Sequence, residues 1–509
     1  MPYVRLASIR WGVTNVSKEL DRRAFLKISG ALGLSGASAL TWQASSAAAA
    51  TISARRSGAA RPLSRVFFGL NGNNIQSGLT WDRADLDAAL ANLRPGGLRY
   101  PGGTIGNYWA WSSGGFQPNG PWPGDPGTPA IDNSLTPFKV GLQGSGAEAL
   151  FVVNMLTVDG RLATSVDNPR MIQDQIAFLQ AAASAGISVK RIELGNEFYL
   201  AGPAAGAHGS DYTTRFPTAT AYAQEATAWA SALHAAFPAA QIAAVGTDAA
   251  GINMARREGW NAAVLADLSG ANALTLHPYV PVKDAAATTQ AVLSLPYQRL
   301  QSLIATEFAQ LTSKGLGAWI TEFNLLDQTP TLAFDGTWTH GLFVAAYALL
   351  LAQNPVVALV DLHNVLGDAG TGALFDSTDG FDAPTPVTQF LGRTAIGAAF
   401  STLFQASNVS TTAQPLTFAG GPVLDGGAPG LVGLDFTGGG QHQAVIVNLA
   451  ATDTTLNVSS LFTGTFHWSR TTAASPSTQI TGASSLIVTN GSTKKTVKVP
   501  KYSIVRVFR

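Results

Sequence analysis

The sequence contains no cysteine and few charged residues. None of its 509 residues is Cys, which excludes thiol nucleophiles, disulfides, Fe–S clusters and Cys-ligated zinc. Charged residues make up 12%, and 32 Lys and Arg against 31 Asp and Glu leave a net charge of +1. That balance provides no electrostatic footprint for nucleic acid or an anionic membrane, so we expect no nucleic-acid partner.

The sequence also lacks a long hydrophobic run. No stretch reaches the roughly 18 uninterrupted apolar residues of a membrane span, so we expect no stable membrane insertion.

At the N-terminus, Arg22 and Arg23 precede Phe25-Leu26-Lys27, a Gly-rich mildly apolar run and small residues up to Ala50. Residues 1–50 therefore resemble a twin-arginine-type export signal, with a disordered N-terminus as the alternative. The signal implies a secreted or periplasmic mature protein.

Short β-branched or Leu-rich runs alternate with segments of helical period over the next 330 or so residues, which is typical of a parallel sheet with crossover helices. The eight runs are Arg65–Asn71, Gly97–Pro101, Ala149–Met155, Val189–Leu194, Gln241–Thr247, Ala273–Leu276, Ala318–Thr321 and Val357–Leu362. The clearest helical segments are Asp82–Leu93, Pro169–Ala185 and Thr218–Phe237. Eight such units predict a (β/α)8 TIM barrel over residues 65–395.

The pattern changes after about Ala395, where Gly-rich turns separate short alternating runs. This predicts a C-terminal antiparallel β-sandwich over residues 396–509. Residues 51–64 show no helical period, and we expect them to add a strand to that sandwich. The predicted fold class is thus α/β, a TIM barrel followed by a β-sandwich domain.

Glutamate is scarce, and two of the eight glutamates stand directly after barrel strands. Glu197 follows the fourth run and Glu322 follows the seventh. Carboxylates at these positions lie at the C-terminal mouth of a TIM barrel, partly desolvated and with shifted pKa values. A pair of this kind can cleave a glycoside, one group protonating the leaving oxygen while the other attacks the anomeric carbon from about 5–5.5 Å away.

The motifs around these glutamates resemble those of the retaining glycoside hydrolases of clan A. The segment from Leu98 to Gly103, with Tyr108 and Trp109, is similar to the strand-two signature of α-L-arabinofuranosidases and heparanase-like β-glucuronidases. Val153-Asn154 is similar to the strand-three end of arabinofuranosidases, and Glu193–Glu197 is similar to the heparanase acid/base motif. His277-Pro278-Tyr279 resembles the strand-six motif of the clan, and Pro500–Ile504 resembles the last strand of the sandwich in these families.

The resemblance implies a role for each of eight residues. Glu197 is the general acid/base, Glu322 is the nucleophile, and Asn196 holds the sugar 2-hydroxyl. Tyr279 and Arg99 keep Glu322 ionised, although Arg99 can instead pair with Glu193 inside the barrel. The other three are assigned to substrate binding: His277, Trp109 and Asn154. His277 can instead be a core residue and Trp109 a packing residue. The resemblance implies no metal and no cofactor.

The sequence thus predicts an exported retaining glycoside hydrolase that acts on β-linked glycosides and resembles a β-glucuronidase. Against a glucuronide, the segments after the strands are rich in neutral polar groups such as Asn71 and Asn107, and Lys283 and His363 are the nearest basic residues. The alternatives are an α-L-arabinofuranosidase, another neutral glycosidase or a transglycosylase. A non-enzymatic alternative is a carbohydrate-binding surface protein on an inactive barrel. The partner in every case is a carbohydrate, and the sequence does not indicate an oligomeric state.

Overall fold

The computed structural model describes residues 51–72, 80–116, 132–201, 208–248, 255–367, 371–376, 390–480 and 485–509. The expected export signal, residues 1–50, lies outside the described residues. The strands are β1 (Ile52–Arg56), β2 (Arg61–Pro62), β3 (Phe68–Asn71), β4 (Gly97–Tyr100), β5 (Trp109–Ala110), β6 (Gly115–Phe116), β7 (Glu148–Val152), β8 (Thr157–Val158), β9 (Arg161–Leu162), β10 (Arg191–Leu194), β11 (Gln241–Val245), β12 (Ala273–Leu276), β13 (Val280–Val282), β14 (Gly317–Ile320), β15 (Leu325–Asp327), β16 (Val357–Leu362), β17 (Leu374–Asp376), β18 (Phe390–Arg393), β19 (Thr412–Phe418), β20 (Leu431–Gly438), β21 (Gln441–Asn448), β22 (Thr454–Asn457), β23 (Phe466–Ala473), β24 (Leu486–Thr493), β25 (Thr496–Val499) and β26 (Ser503–Phe508).

The α-helices are α1 (Ala84–Leu93), α2 (Leu135–Ser145), α3 (Asn168–Ser184), α4 (His208–Arg215), α5 (Ala219–Ala236), α6 (Trp260–Asp267), α7 (Thr289–Leu303), α8 (Ala309–Lys314), α9 (Trp338–Ala352) and α10 (Ala395–Ser407). A π-helical turn, Ile304–Phe308, connects α7 to α8. The three helical segments predicted from the sequence match α1, α3 and α5 to within two residues at each end. None of the described helices is both long and apolar enough to cross a bilayer.

Eight parallel strands close into a barrel in the order β3-β4-β7-β10-β11-β12-β14-β16, and β16 pairs with β3 to complete the ring. The predicted TIM barrel is therefore confirmed. Two of the eight predicted runs, Ala273–Leu276 and Val357–Leu362, coincide with β12 and β16. The first run is shorter than predicted because Arg65–Phe67 forms a 3-10 turn before β3.

The barrel interior combines an apolar layer with buried polar side chains. The layer consists of one tryptophan, two leucines and two alanines: Trp319, Leu150, Leu359, Ala243 and Ala273. Polar residues are nevertheless buried on the barrel strands, among them Arg99 on β4, Glu193 on β10 and Asp361 on β16. Gly69 on β3 makes room for one of them, since a Cβ there would overlap the Asp361 carboxyl group. Buried charge at the strand ends is the feature from which the candidate site is built.

The C-terminal region forms a ten-stranded sheet in the order β24-β23-β26-β21-β20-β19-β1-β22-β25, with β2 attached to β19. The N-terminal strand β1 pairs antiparallel with β19 and parallel with β22, so the sheet is mostly rather than wholly antiparallel. The sequence did not identify β19 and β20 as strands, because Pro415, Gly433 and Gly438 interrupt their β pattern.

Both faces of this sheet are buried at its inner strand β21, whereas the edge strand β24 is largely exposed. On β21, Ala444 and Ile446 pack into the core of the sheet domain, whereas Val445 and Val447 pack into the core that also contains the barrel helices. The strand period of two residues produces this division. Helix α9 lies between the barrel and the sheet and is buried on every side, which explains why its sequence is apolar all round.

Candidate active site

Glu197 and Glu322 lie together at the carboxyl ends of two barrel strands. Glu197 stands three residues after β10 with a positive φ of 51°, and Glu322 stands two residues after β14. One carboxylate oxygen of each lies within 4.8 Å of the other. This is close to the separation of about 5–5.5 Å that a nucleophile and an acid/base need in a retaining glycosidase.

Glu322 is buried and accepts hydrogen bonds from three donors. Arg99 Nη1 lies 2.7 Å and Asn71 Nδ2 lies 3.2 Å from Oε1, while the Tyr279 hydroxyl donates to Oε2 over 2.8 Å. Burial by itself raises the pKa of this carboxyl group, but nearby His277, His363 and Arg99 and the Tyr279 hydrogen bond lower its pKa to about 2. Glu322 is therefore ionised at neutral pH, as a nucleophile must be.

Glu197 has different neighbours and is more open to solvent. Its Oε1 accepts a hydrogen bond from the Tyr199 hydroxyl at 2.6 Å and lies 2.9 Å from His277 Nδ1. His277 Nε2 is 3.0 Å from Thr321 Oγ1, so the ring is held at both nitrogens. Burial lowers the pKa of His277, yet the two glutamates more than offset it and leave its pKa raised. His277 Nδ1 also lies 3.8 Å from Glu322 Oε2, so this side chain links the two carboxylates and is more than a core residue.

Arg99 joins the site to the barrel interior. Its side chain is completely buried and contacts both oxygens of Glu193, with the shortest distance 2.7 Å from Nη2. The same guanidinium donates to Glu322 and, through Nη2, to Asn196 Oδ1 at 2.8 Å. The two partners considered from the sequence, Glu193 and Glu322, are therefore bound at the same time, because the guanidinium fork has donors for both.

Asn196 is fixed from two sides. Its backbone N–H donates to Asn107 Oδ1 over 3.0 Å, and Asn107 Nδ2 donates back to the Asn196 carbonyl over 2.8 Å. Its side-chain Nδ2 has only a 3.5 Å contact, with Thr104 Oγ1, which leaves this donor able to bind a ligand hydroxyl. Sequence reasoning named Asn107 only as a polar group, and its partner Asn196 lies 89 residues away in the sequence.

Neither Trp109 nor Asn154 makes a hydrogen bond with the carboxylates. Trp109 is 4% exposed and packs edge-on against Tyr100 at a ring distance of 5.9 Å, so it does not present a free face for a sugar. Asn154 Nδ2 donates to the Trp109 carbonyl and to Thr157 Oγ1, while its Oδ1 accepts the backbone N–H groups of Leu156 and Thr157. Its amide is fully used within the protein. These contacts indicate a structural role for both residues, contrary to their assignment to substrate binding.

Three residues of the site were given no role from the sequence: Asn71, Asn107 and Tyr199. Asn71 is the last residue of β3, so the rule that singled out Glu197 and Glu322, a polar residue ending a barrel strand, could have found it. Tyr199 lies two residues after Glu197 in a loop without a pattern. Nothing local in the sequence distinguishes its hydroxyl from those of other buried tyrosines.

The donor atoms of Glu197, His277 and Glu322 are close enough together to hold a metal ion. Their hydrogen bonds do not suit one, because an ionised carboxylate only accepts, and His277 Nδ1 must carry a proton to bond to it. The Arg99 guanidinium, 2.7 Å from Glu322, would also repel a cation. The arrangement fits a hydrogen-bonded acid–nucleophile pair.

Comparison with known proteins gives a structural match without a sequence match. No family model and no curated protein matches the chain. A family 51 α-L-arabinofuranosidase from Bifidobacterium longum superposes with a TM-score of 0.66 at 16% identity, covering 90% of this chain and 99% of that one. An α-L-arabinofuranosidase from Thermotoga maritima gives 0.64 at 16% identity, covering 90% and 100%.

A third solved structure, a 4-O-α-L-rhamnosyl-β-D-glucuronidase from Fusarium oxysporum, gives a TM-score of 0.56 at 14% identity, covering 90% of this chain and 100% of that one. At these identities the likeness shows the fold alone. The chain has the barrel-plus-sheet fold of the family 51 arabinofuranosidases.

Proposed function

We propose that the protein is a retaining glycoside hydrolase with Glu322 as nucleophile and Glu197 as general acid/base. The observation that carries this proposal is the pair of carboxylates within 4.8 Å at the mouth of the barrel, of which Glu322 is held ionised by Arg99 and Tyr279. The fold, shared with known glycoside hydrolases, supports it. A non-catalytic sugar-binding barrel would not need this arrangement of charge.

The reaction proceeds in two displacements. A Glu322 oxygen attacks the anomeric carbon, the bond from that carbon to the leaving oxygen breaks, and Glu197 gives its proton to that oxygen. Glu197 then takes a proton from water, whose oxygen attacks the same carbon and releases Glu322. Asn196 Nδ2 donates to the sugar 2-hydroxyl, and this bond strengthens as positive charge develops on the ring. Another sugar in place of water would give transglycosylation.

The charges around the site favour a neutral sugar, and we propose an α-L-arabinofuranoside as the substrate. Arg99 is bound to two carboxylates, and Arg256 donates to the backbone carbonyls of Phe198, Phe216 and Pro217. Burial lowers the pKa of His363, which disfavours its charged form. Between residues 51 and 509, the segments outside the described ranges contain no Lys or Arg.

A β-glucuronide is the second candidate. The glucuronidase from Fusarium oxysporum shares the fold, and the Glu193–Glu197 segment resembles the heparanase motif. A glucuronide carboxylate would have to bind to backbone amides and hydroxyl groups or to the exposed Lys283, because Arg99 and Arg256 are already engaged.

A panel of aryl glycosides decides between these substrates. Rates of the mature protein on the α-L-arabinofuranoside, β-glucuronide, β-glucoside and β-xyloside are compared at one pH. We expect the arabinofuranoside to give the highest kcat/KM. A preference for the glucuronide would favour the second candidate. If substrates bind but none is hydrolysed, the non-enzymatic alternative is favoured.

Two variants test the catalytic assignment. Glu322→Gln should abolish turnover with the fold retained, because a neutral amide cannot attack the anomeric carbon. Glu197→Ala should keep activity on substrates with good leaving groups and gain rate with added azide, which replaces water where the base is missing. NMR of the first-formed product should show retained configuration. Wild-type rates from either variant, or an inverted product, would contradict the assignment.

We also propose that the protein is exported through its N-terminal segment, on the basis of the sequence pattern alone. Replacing Arg22 and Arg23 with Lys should block translocation, measured by cell fractionation. Undiminished export of that variant would contradict a twin-arginine signal.

A further inference from the structure

A buried tyrosine joins the general acid/base to an ion pair deeper in the protein. Tyr199 donates its hydroxyl to Glu197 Oε1 over 2.6 Å, and its ring is 1% exposed. The guanidinium carbon of Arg257 lies 4.8 Å from the centre of that ring. The ring of Trp260 lies 6.3 Å away in an edge-on contact. The buried tyrosine ring is therefore held by both neighbours, and these contacts orient its hydroxyl.

Arg257 is anchored by hydrogen bonds of its own. Its Nε donates to Thr247 Oγ1 over 3.0 Å, and its Nη2 contacts both the backbone carbonyl, at 2.9 Å, and the carboxylate of Asp248. Asp248 is 3% exposed and binds a second arginine, Arg299, through its other oxygen. The guanidinium on the tyrosine ring is thus part of a buried network, and its position is set by the fold.

The two carboxyl oxygens of Glu197 differ in their hydrogen bonds. Tyr199 and His277 both bond to Oε1, whereas no described residue bonds to Oε2. Oε1 already accepts two hydrogen bonds, so the proton of the carboxylic acid belongs on Oε2. A glycosidic oxygen must then lie on the Oε2 side to receive it.

We propose that Arg257, anchored by Asp248, is a positioning residue for the general acid/base. It holds the Tyr199 ring so that the hydroxyl occupies Glu197 Oε1 and the transferable proton lies on Oε2, facing the leaving group. The inference rests on the proposed function, since it concerns how Glu197 performs acid catalysis. Arg257 itself touches neither the carboxylates nor the substrate in this arrangement.

Two substrates whose leaving groups differ in acidity distinguish a positioning role of Arg257 from a general destabilisation of the fold. A dinitrophenyl glycoside leaves without help from an acid, whereas an alkyl glycoside of the same sugar requires protonation. kcat/KM reports the first displacement, in which Glu197 acts as the acid. Arg257→Met should lower kcat/KM for the alkyl glycoside by about tenfold or more and for the dinitrophenyl glycoside by less than about threefold, since general acids contribute about 10²–10⁴. Arg257→Lys, which keeps a cation beside Asp248, should restore much of the loss.

Arg299→Met is the matched control, because it also removes an arginine from Asp248 but does not contact Tyr199. It should lower the Tm without changing the ratio between the two substrates. Tyr199→Phe removes only the hydroxyl and should show the same selective loss as Arg257→Met. It also carries the test if the arginine variant fails to fold. Combining the two changes should add little, since both act through one hydrogen bond.

The outcomes distinguish the inference from the proposed function. Equal losses on both substrates in Arg257→Met and Tyr199→Phe, or the same selective loss in Arg299→Met, would overturn the positioning role while the enzyme remains a glycosidase. A wild-type protein that hydrolyses neither substrate, nor any other glycoside of the panel, would overturn the proposed function and the inference with it.

Discussion

Replacing Arg99 with Met should both weaken the fold and raise the pKa of Glu322. Arg99 is completely buried and pairs with Glu193 and Glu322, so its loss leaves two buried carboxylates uncompensated. Breaking a buried ion pair in this way costs about 3–5 kcal/mol. An unfolding entropy of about 2.1 cal/mol/K per residue amounts to about 1 kcal/mol/K for a unit of roughly 460 residues, and the Tm should fall by about 3–5 °C.

The same substitution should move the acidic limb of the pH–rate profile. In the wild-type protein burial raises the pKa of Glu322, but its neighbours, Arg99 among them, lower it to about 2. Without the Arg99 charge the protonated form is favoured, so the pKa rises and kcat/KM begins to fall at a higher pH. Arg215→Met, which breaks a partly buried pair with Glu225, should lower the Tm without moving this limb. An acidic limb of Arg99→Met that coincides with the wild-type limb would refute the reasoning.

Three further predictions follow from the site and the barrel. Tyr279→Phe removes a hydrogen bond to the charged Glu322, worth about 1.5–3 kcal/mol, and should lower kcat/KM roughly 10- to 100-fold in steady-state assays while the Tm changes little. Glu322 has a lowered folded-state pKa, about 2 against 4.5, so its contribution to stability is present above about pH 4.5 and is lost as the pH falls toward 2. The Tm of the wild type minus that of Glu322→Gln should therefore decrease over that range, and a constant difference would contradict it. Gly69→Ala should cost about 1–3 kcal/mol by denaturant unfolding because the new Cβ meets Asp361 and the backbone, whereas Gly317→Ala, with its nearest atom 3.6 Å away, should be tolerated.

The sequence by itself determined the order of the barrel strands and the two glutamates at their ends. The spacing of apolar residues along a strand or helix follows from which of its faces are buried, so it can be read from the local sequence. A parallel barrel places the carboxyl end of every strand at one face, so Glu197 and Glu322 had to meet there despite a sequence separation of 125 residues. The role of Arg99 was also within reach, because a buried cation needs a partner and Glu193 and Glu322 were the carboxylates at hand.

Only the tertiary structure decided how the side chains around those glutamates are shared. It showed that Arg99 binds both candidate partners, that His277 links the carboxylates and that Trp109 is buried. It also placed Arg257 on the ring of Tyr199, a contact 58 residues apart in sequence. Such contacts depend on atomic positions to within a few tenths of an ångström, in loops that carry no periodic sequence signal. A local pattern reports that a residue is buried, and the packed fold alone selects its neighbours.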